Sequence, residues 1–119
     1  RAQLEHEEIF MVNHRKIYEL EDDFDRKLRS LKQIEDEVEE YYHKFRMRTN
    51  LLIDQIYAVH QSANISPAGN PYLYDLQDNL EMYTREYYLE REQIEEERVQ
   101  LRRELNRAID EEYRKNDEE

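Results

Sequence analysis

The stretch SANISPAGNPY, residues 62–72, decides the fold because it holds both prolines and the only glycine of the 119-residue chain. Gly and Pro interrupt helices and supply turns. On either side the chain is dominated by Glu, Lys, Arg and Leu, which favour helix. The stretch therefore predicts a turn over about 63–71, between a first helix over about 3–62 and a second helix over about 72–116.

Three residues predict how the second helix begins. Asn70 is suited to cap the helix, and Pro71 is suited to the first helical position. Asp75 is expected in the first turn, where an acidic side chain complements the helix dipole.

The composition bounds the class of protein. Charged residues make up 40% of the chain, aromatic residues 11%, and the formal net charge is -12. High charge with helical periodicity and few breakers is typical of long helices or a coiled coil. The negative charge argues against binding to nucleic acid or to an anionic membrane surface. Cysteine is absent, and so is an apolar run long enough to span a membrane.

Apolar residues recur along the first helix at every seventh position. This stripe consists of Phe10, Ile17, Phe24, Leu31, Val38, Phe45, Leu52 and Val59. A seven-residue repeat keeps one helix face towards a partner, with left-handed supercoiling. The second helix has a thinner stripe: Leu73, Leu76, Leu80, Tyr83, Tyr87, Ile94, Leu101, Leu105, Ala108 and Ile109.

These stripes predict an all-α fold, an antiparallel two-helix hairpin that supplies one layer of a larger helical bundle with a partner. The predicted partner interface comprises the eight stripe residues of the first helix with Leu80, Tyr87, Ile94 and Leu101. The first helix is the longer one, so the apolar residues at 9–12 are expected to overhang the second helix. An exposed apolar patch of this kind marks an interface.

Aromatic residues widen both stripes near their middle. With the turn near residue 66, Tyr87 is predicted to lie close to Phe45. The doublets Tyr41-Tyr42 and Tyr87-Tyr88 then form an aromatic band with Phe45. Tyr suits such a position because it buries a ring while its hydroxyl reaches water or a polar partner.

Catalytic and metal-binding patterns are weak. Glu40 and His43 have the E-x-x-H spacing of helical di-iron bundles, but such a site needs two of these motifs, and the second helix contains no His. We interpret the pair as part of a solvated helix face. The sequence holds no phosphate-binding loop, zinc-protease motif or nucleophile pattern. We therefore predict a non-enzymatic protein with no catalytic residue, metal ligand or cofactor.

The chain ends in DEEYRKNDEE, in which YRKND covers residues 113–117. Leu101, Leu105 and Ile109 step by four residues, and Tyr113 is the next step, so it is predicted to continue the apolar face. Asp117 lies one helical turn further on. A small acidic helical hairpin with Tyr-x-x-x-Asp after its second helix resembles the WxG-type proteins of type VII secretion. In that family a Y-x-x-x-[DE] motif near the C-terminus is part of an export signal.

The W-x-G turn of that family is replaced here by SPAGNP, and the first helix is longer than usual. The chain is therefore most similar to a divergent branch, the targeting factors of LXG toxins. This resemblance implies a protein that binds the helical LXG domain of a toxin, together with a second small helical protein, and directs the complex to export. It implies that Tyr113 and Asp117 form the export motif. It also implies synthesis in the cytoplasm and export with the partner.

A second interpretation is a coiled-coil segment of a larger structural or scaffold protein. The eight regular heptads favour it, as does a sequence that begins with Arg1. On this interpretation SPAGNP is a hinge. A self-associating homodimeric four-helix bundle is compatible with either interpretation.

Overall fold

The computed structural model describes the backbone of residues 2–118 and the side chains of residues 14–115. It contains two helices, α1 from Ala2–Ala63 and α2 from Pro71–Glu118, and no strand among the described residues. The helices pack against each other, so the predicted all-α helical hairpin is confirmed. Neither helix has, in its described part, a segment long and apolar enough to cross a membrane.

Helix α1 ends in a Schellman-type cap. Asn64 adopts a left-handed conformation, with φ of 57°. Its N–H donates to the carbonyl of Gln61 at 3.1 Å, and the N–H of Ile65 donates to the carbonyl of His60 at 2.9 Å. Asn is one of the few residues that tolerate this conformation, and the two bonds satisfy carbonyls that the helix end leaves open.

The connection then closes with a tight turn. The N–H of Asn70 donates to the carbonyl of Pro67 at 3.1 Å, and Gly69, the third residue of this turn, has φ of 87°. A type II turn requires positive φ at that position, which explains why the only glycine of the chain lies there.

The predicted cap of α2 is confirmed. The Oδ1 atom of Asn70 accepts the N–H groups of Tyr72 at 2.9 Å and Leu73 at 3.3 Å, and Pro71 is the first helical residue. The prediction for Asp75 is wrong, because the first turn contains no acidic residue and Asp75 lies beyond it. The amide Nδ2 of Asn70 also donates to Nε2 of His60 at 2.8 Å, which ties the start of α2 to the last turn of α1.

Replacing the cap tests this arrangement. We expect Asn70→Ala to lower the free energy of unfolding by about 1 kcal/mol, the usual effect of losing an N-cap acceptor. Asn70→Asp keeps the acceptor for both N–H groups and loses only the donor to His60, so it should retain most of the stability. Thermal unfolding followed by circular dichroism measures both. Equal losses in the two variants would show that the contact with His60, and not the cap, is the stabilising interaction.

The contacts between α1 and α2 form two compact units. Unit 1 consists of Arg1–Gln33 with Ile94–Glu119, and unit 2 consists of Ile34–Gln93. Unit 1 is built around Phe24 and Ile94, which are buried to 8% and 6% exposure. The guanidinium of Arg102 lies 5.3 Å from the centroid of the Phe24 ring, so α1 and α2 are joined there by an aromatic side chain covered by a cation.

Unit 2 is closed near the turn by buried Leu73 and Thr49. Beyond Phe45 the inward positions of α1 in this unit are Thr49, Ile53, Ile56 and His60, all buried or half-buried. The stripe residues Leu52 and Val59 are instead exposed, at 47% and 68%. A straight helix drifts by about 20° for each seven-residue repeat, so two repeats after Phe45 the stripe has turned by about 40° away from α2.

Candidate protein-interaction surface

Aromatic rings of unit 2 form the predicted band between α1 and α2. The rings of Tyr42 and Tyr87 are stacked, with centroids 4.2 Å apart and planes at 7°. Phe45 packs on Tyr83 at 4.1 Å and 37°. The band is confirmed, but Phe45 meets Tyr83 and not Tyr87, which is a shift of one helical turn. The connection folds back beside α1, as the bond between His60 and Asn70 shows, so α2 starts about one turn before the level where α1 ends.

Hydrogen bonds hold the stacked tyrosines in place. The hydroxyl of Thr84 donates to the carbonyl of Leu80 at 2.7 Å, which uses its only proton. The Tyr42 hydroxyl, 2.8 Å from Oγ1 of Thr84, is therefore the donor of that bond. The Tyr87 hydroxyl donates to Oε1 of Glu39 at 3.5 Å. Rings fixed in this way lose little further freedom when another molecule packs on them.

A groove of about 320 Å³ lies beside this band and is called the aromatic groove here. Four tyrosines, two aliphatic side chains and three carboxylates line it. They are Tyr41, Tyr42, Tyr83, Tyr87, Ile34, Val38, Glu37, Glu86 and Glu90. The surface thus combines apolar and aromatic area with negative charge, a combination suited to a helix that carries apolar side chains flanked by basic ones.

An exposed apolar edge runs along α1 from the aromatic groove towards the turn. It consists of Ile34, Tyr41, Leu52 and Val59, all of which are exposed. Their spacings of 7, 11 and 7 residues are each close to a whole number of turns, so the four side chains lie on one side of the helix. Ile34 and Tyr41 also line the groove, whereas Leu52 and Val59 lie nearer the turn, beyond the exposed Arg48.

The twelve residues predicted as partner interface fall into four groups. Phe24 and Ile94 are buried within unit 1, whereas Leu52 and Val59 are exposed on the apolar edge. The side chain of Phe10, like the other side chains of residues 9–12, lies outside the side chains that the structure describes. The half-buried members are Ile17, Leu31, Val38, Phe45, Leu80, Tyr87 and Leu101. The centre of the stripe is therefore covered by α2, and the surface open to another protein lies at its edge.

Sequence reasoning did not single out the three glutamates of the aromatic groove. Glu37 lies on α1, and Glu86 and Glu90 lie one turn apart on α2. In a chain with 30 acidic residues no local pattern distinguishes them from the other acids of the solvated faces. Only the register between the helices brings them to one groove.

Tyr113 is 55% exposed on α2. The adjacent Glu112 takes the inward position instead, with a side chain only 12% exposed and its Oε1 atom 3.5 Å from Nζ of Lys115. Each step of four residues runs roughly 40° past a full turn, so Tyr113 lies roughly 120° around the helix from Leu101. Tyr113 therefore faces solvent and does not continue the apolar face of α2 as predicted. The side chain of Asp117 lies outside the described residues.

Among residues 14–115, no group of three or more His, Asp or Glu side chains is arranged to hold a metal ion. Glu40 and His43 are both exposed, and Oε1 of Glu40 pairs with Nζ of Lys44 at 2.9 Å. Neither a protein-family model, nor a curated protein, nor a solved structure matches this chain. Its function is therefore inferred from the chemistry of the aromatic groove, the apolar edge and Tyr113.

Proposed function

We propose that this chain is a non-enzymatic helical partner of an effector protein and helps to direct that effector to type VII secretion. The supporting observation is the apolar surface of unit 2. Within this unit Leu73 is the only buried apolar side chain, whereas thirteen large apolar side chains are exposed. Apolar side chains that are exposed together, as Ile34 and Tyr41 are at the aromatic groove, mark a binding site for another protein.

The chemistry of this surface favours a helix as the occupant. A helix laid along Ile34, Tyr41, Leu52 and Val59 would bury apolar side chains at the spacing of helical turns. Tyrosine is enriched among the residues that dominate binding energy, and the stacked rings of Tyr42 and Tyr87 are already held in place. The resemblance to targeting factors of LXG toxins supports the identity of that helix, which would belong to the LXG domain of the effector.

The position of Tyr113 supports the second half of the proposal. Its ring is more than half exposed, and Asp117 follows it four residues later in the same helix. Side chains four apart in a helix are neighbours on its surface. Tyr113 and Asp117 would together present the export motif to the secretion machinery.

Binding to the effector is tested with Tyr41→Ala. Tyr41 is 69% exposed, so its truncation should leave the chain folded and weaken binding to a co-expressed LXG domain by roughly tenfold or more. Met47→Ala is the matched control, because Met47 is also exposed and lies roughly 120° away around α1. Isothermal titration measures both affinities. Equal affinity of the Tyr41 variant and the wild type would place the effector elsewhere.

Export is tested with Tyr113→Ala in cells that carry the secretion system and the effector. We expect secretion of the complex to be lost while the complex still forms. Tyr18→Ala is the control, because Tyr18 is exposed and is also followed by an acid at the fourth residue, Asp22. Export that continues without Tyr113 would reject the signal, and loss of the complex would make Tyr113 a packing residue.

The alternative function is that of a coiled-coil segment in a larger scaffold. It is favoured by the seven-residue stripe, whose members from Ile17 to Phe45 are buried or half-buried. On this alternative the aromatic groove receives another helix of the scaffold. The open reading frame distinguishes the two: one far longer than 119 residues favours the scaffold, and one of similar length beside an LXG-toxin gene favours the targeting factor.

A further inference from the structure

The carboxylates of the aromatic groove have no cationic partner in the described part of the chain. Glu37 of α1 and Glu86 and Glu90 of α2 line this groove. Elsewhere on the helix surfaces acids are paired, as Glu40 is with Lys44 at 2.9 Å. No ion pair of the described residues involves any of the three groove glutamates. The groove therefore gathers three negative charges that those residues leave unbalanced.

Two of these glutamates also repel each other. Glu86 and Glu90 are four residues apart on α2, so their carboxylates are neighbours on the helix surface, and like charges at this spacing are destabilising. Arg91 follows Glu90 in the sequence, but its guanidinium lies over the ring of Tyr87 and forms no ion pair with the described residues. A cation supplied by another molecule would therefore relieve the repulsion.

The ring of Tyr41 is the open aromatic surface of the groove. Tyr41 is 69% exposed, and no ring or guanidinium of the described residues packs on it. Two other rings of the chain are covered by arginine. Arg91 lies 5.6 Å from the centroid of Tyr87, and Arg102 lies 5.3 Å from that of Phe24. Tyr41 therefore offers the same kind of surface without the cation.

An unpaired carboxylate lies beside this open ring. Glu37 precedes Tyr41 by four residues on α1, so the two side chains are neighbours on the same helix face. An arginine guanidinium stacks on an aromatic ring and presents N–H donors in a planar fork that matches a carboxylate. A lysine ammonium has neither the planar surface nor the fork. The combination of ring and carboxylate therefore favours arginine over lysine as the group that is bound.

We propose that the helix bound at the aromatic groove places an arginine side chain over Tyr41, paired with Glu37, and that Glu86 and Glu90 select further basic residues on that helix. The proposal rests on the proposed function, since the effector would supply the arginine. The net charge of -12 acts in the same direction, because it attracts a basic partner and repels an acidic helix and a second copy of this chain alike.

The test uses the full chain and three synthetic peptides of about 20 residues, long enough to form a helix on binding. All have Leu along one face, and they differ only at two positions one turn apart beside the Leu residues, which hold Arg, Lys or Gln. Fluorescence anisotropy of the labelled peptides gives the affinities, and amide chemical-shift changes locate the site. We expect the Arg peptide to shift amides near Tyr41 and Glu90. The Lys peptide should bind about threefold or more weaker, and the Gln peptide about tenfold or more weaker.

Neutral variants distinguish binding at the groove from a general effect of net charge. Glu86→Gln with Glu90→Gln keeps the size of both side chains and should weaken the Arg peptide by about tenfold. Glu92→Gln with Glu96→Gln is the matched control, because these two residues have the same spacing on α2, are exposed and do not line the groove. The control changes the net charge by the same amount and should leave the affinity within about twofold. Glu37→Gln should remove the preference for Arg over Lys.

Three results would overturn the proposal. The first is equal affinity of the Arg and Gln peptides, and the second is equal weakening by both pairs of neutral variants. The third is a dimer in sedimentation velocity that Tyr41→Ala dissociates, which would make a second copy the occupant.

Titration of the LXG domain separates this proposal from the proposed function. If Tyr41→Ala weakens binding of the LXG domain but Glu86→Gln with Glu90→Gln does not, the effector binds at the groove without basic residues, and only the arginine proposal fails. If the Arg peptide binds at the groove but Tyr41→Ala leaves the affinity for the LXG domain unchanged, only the assignment of the effector fails.

Discussion

Tyr87→Ala is expected to lower the free energy of unfolding of unit 2 by about 3 kcal/mol, within the range for truncating a large packed aromatic side chain. The ring of Tyr87 stacks on Tyr42 at 4.2 Å and lies 5.6 Å from the guanidinium of Arg91. Its hydroxyl bonds Glu39. Truncation removes these contacts together with the ring contact to Tyr88 at 5.5 Å, and it leaves a gap between the helices. Native-state hydrogen exchange of the amides in residues 34–93 measures the loss directly.

Two variants separate the contributions of ring and hydroxyl. Tyr87→Phe keeps the ring and removes only the long bond to Glu39, so we expect a loss of less than about 1 kcal/mol. Leu89→Ala is the positional control, because Leu89 lies two residues further on and is 58% exposed. If the Leu89 and Tyr87 variants lost the same stability, the stack between Tyr42 and Tyr87 would not be a stabilising feature of unit 2.

The stacked pair can also be measured as a pair. In a double-mutant cycle with Tyr42→Ala and Tyr87→Ala, the second truncation should cost less than it does in the wild type. We expect a coupling free energy of about 1 kcal/mol, typical of aromatic pairs in contact. Additive losses would show that each ring is stabilised by other neighbours.

Phe24→Ala is expected to have a comparable effect on unit 1, about 3 kcal/mol or more, because Phe24 is buried and its truncation leaves a cavity. Arg102 would also lose the ring over which its guanidinium lies. Hydrogen exchange should accelerate at amides in residues 14–33 and 94–115. The expected loss can be measured by the same native-state exchange experiment.

The matched control for Phe24 is Val59→Ala, at another position of the same seven-residue stripe. The sequence pattern treats the two positions as equivalent. Val59 is 68% exposed, so its truncation should change stability by less than about 0.5 kcal/mol, as at other surface sites. A large loss of stability for Val59→Ala would mean that the stripe faces α2 along its whole length and does not turn away from it beyond Phe45.

Local sequence signals were enough to predict the connection between the helices. Asn70, Pro71 and Gly69 each have a backbone or side-chain property that suits one position in a turn or cap, and all three occupy such positions. The prediction for Asp75 failed by less than one turn. A helix cap is formed by residues that are close together in the sequence, so a short stretch of sequence is enough to predict it.

Long-range register was harder to predict. Phe45 was expected opposite Tyr87 and lies against Tyr83, because the connection folds back along α1 and moves the start of α2. Beyond Phe45 the seven-residue stripe leaves the inward face. A pattern of identical spacing cannot show where a straight helix has drifted out of contact, since the drift depends on where the second helix lies.

The residues of the candidate sites could likewise be predicted only in part. Tyr41, Leu52 and Tyr113 were recognisable in the sequence as apolar residues at helical spacing, but their exposure was not. The glutamates of the aromatic groove could not be found in advance. They come from both helices, and a chain that is 40% charged offers many equivalent candidates.

The sequence by itself determined that this protein is two amphipathic helices joined by one capped turn, because breakers, caps and periodicity act over a few residues. The tertiary structure decided which apolar residues are covered and which stay exposed, and which charges share a groove. Burial and the grouping of charges depend on the register between α1 and α2. This register results from small rotations that accumulate over many residues and from a connection that folds back along α1. Phe24 and Val59 belong to one stripe in the sequence, but the register buries Phe24 and leaves Val59 exposed.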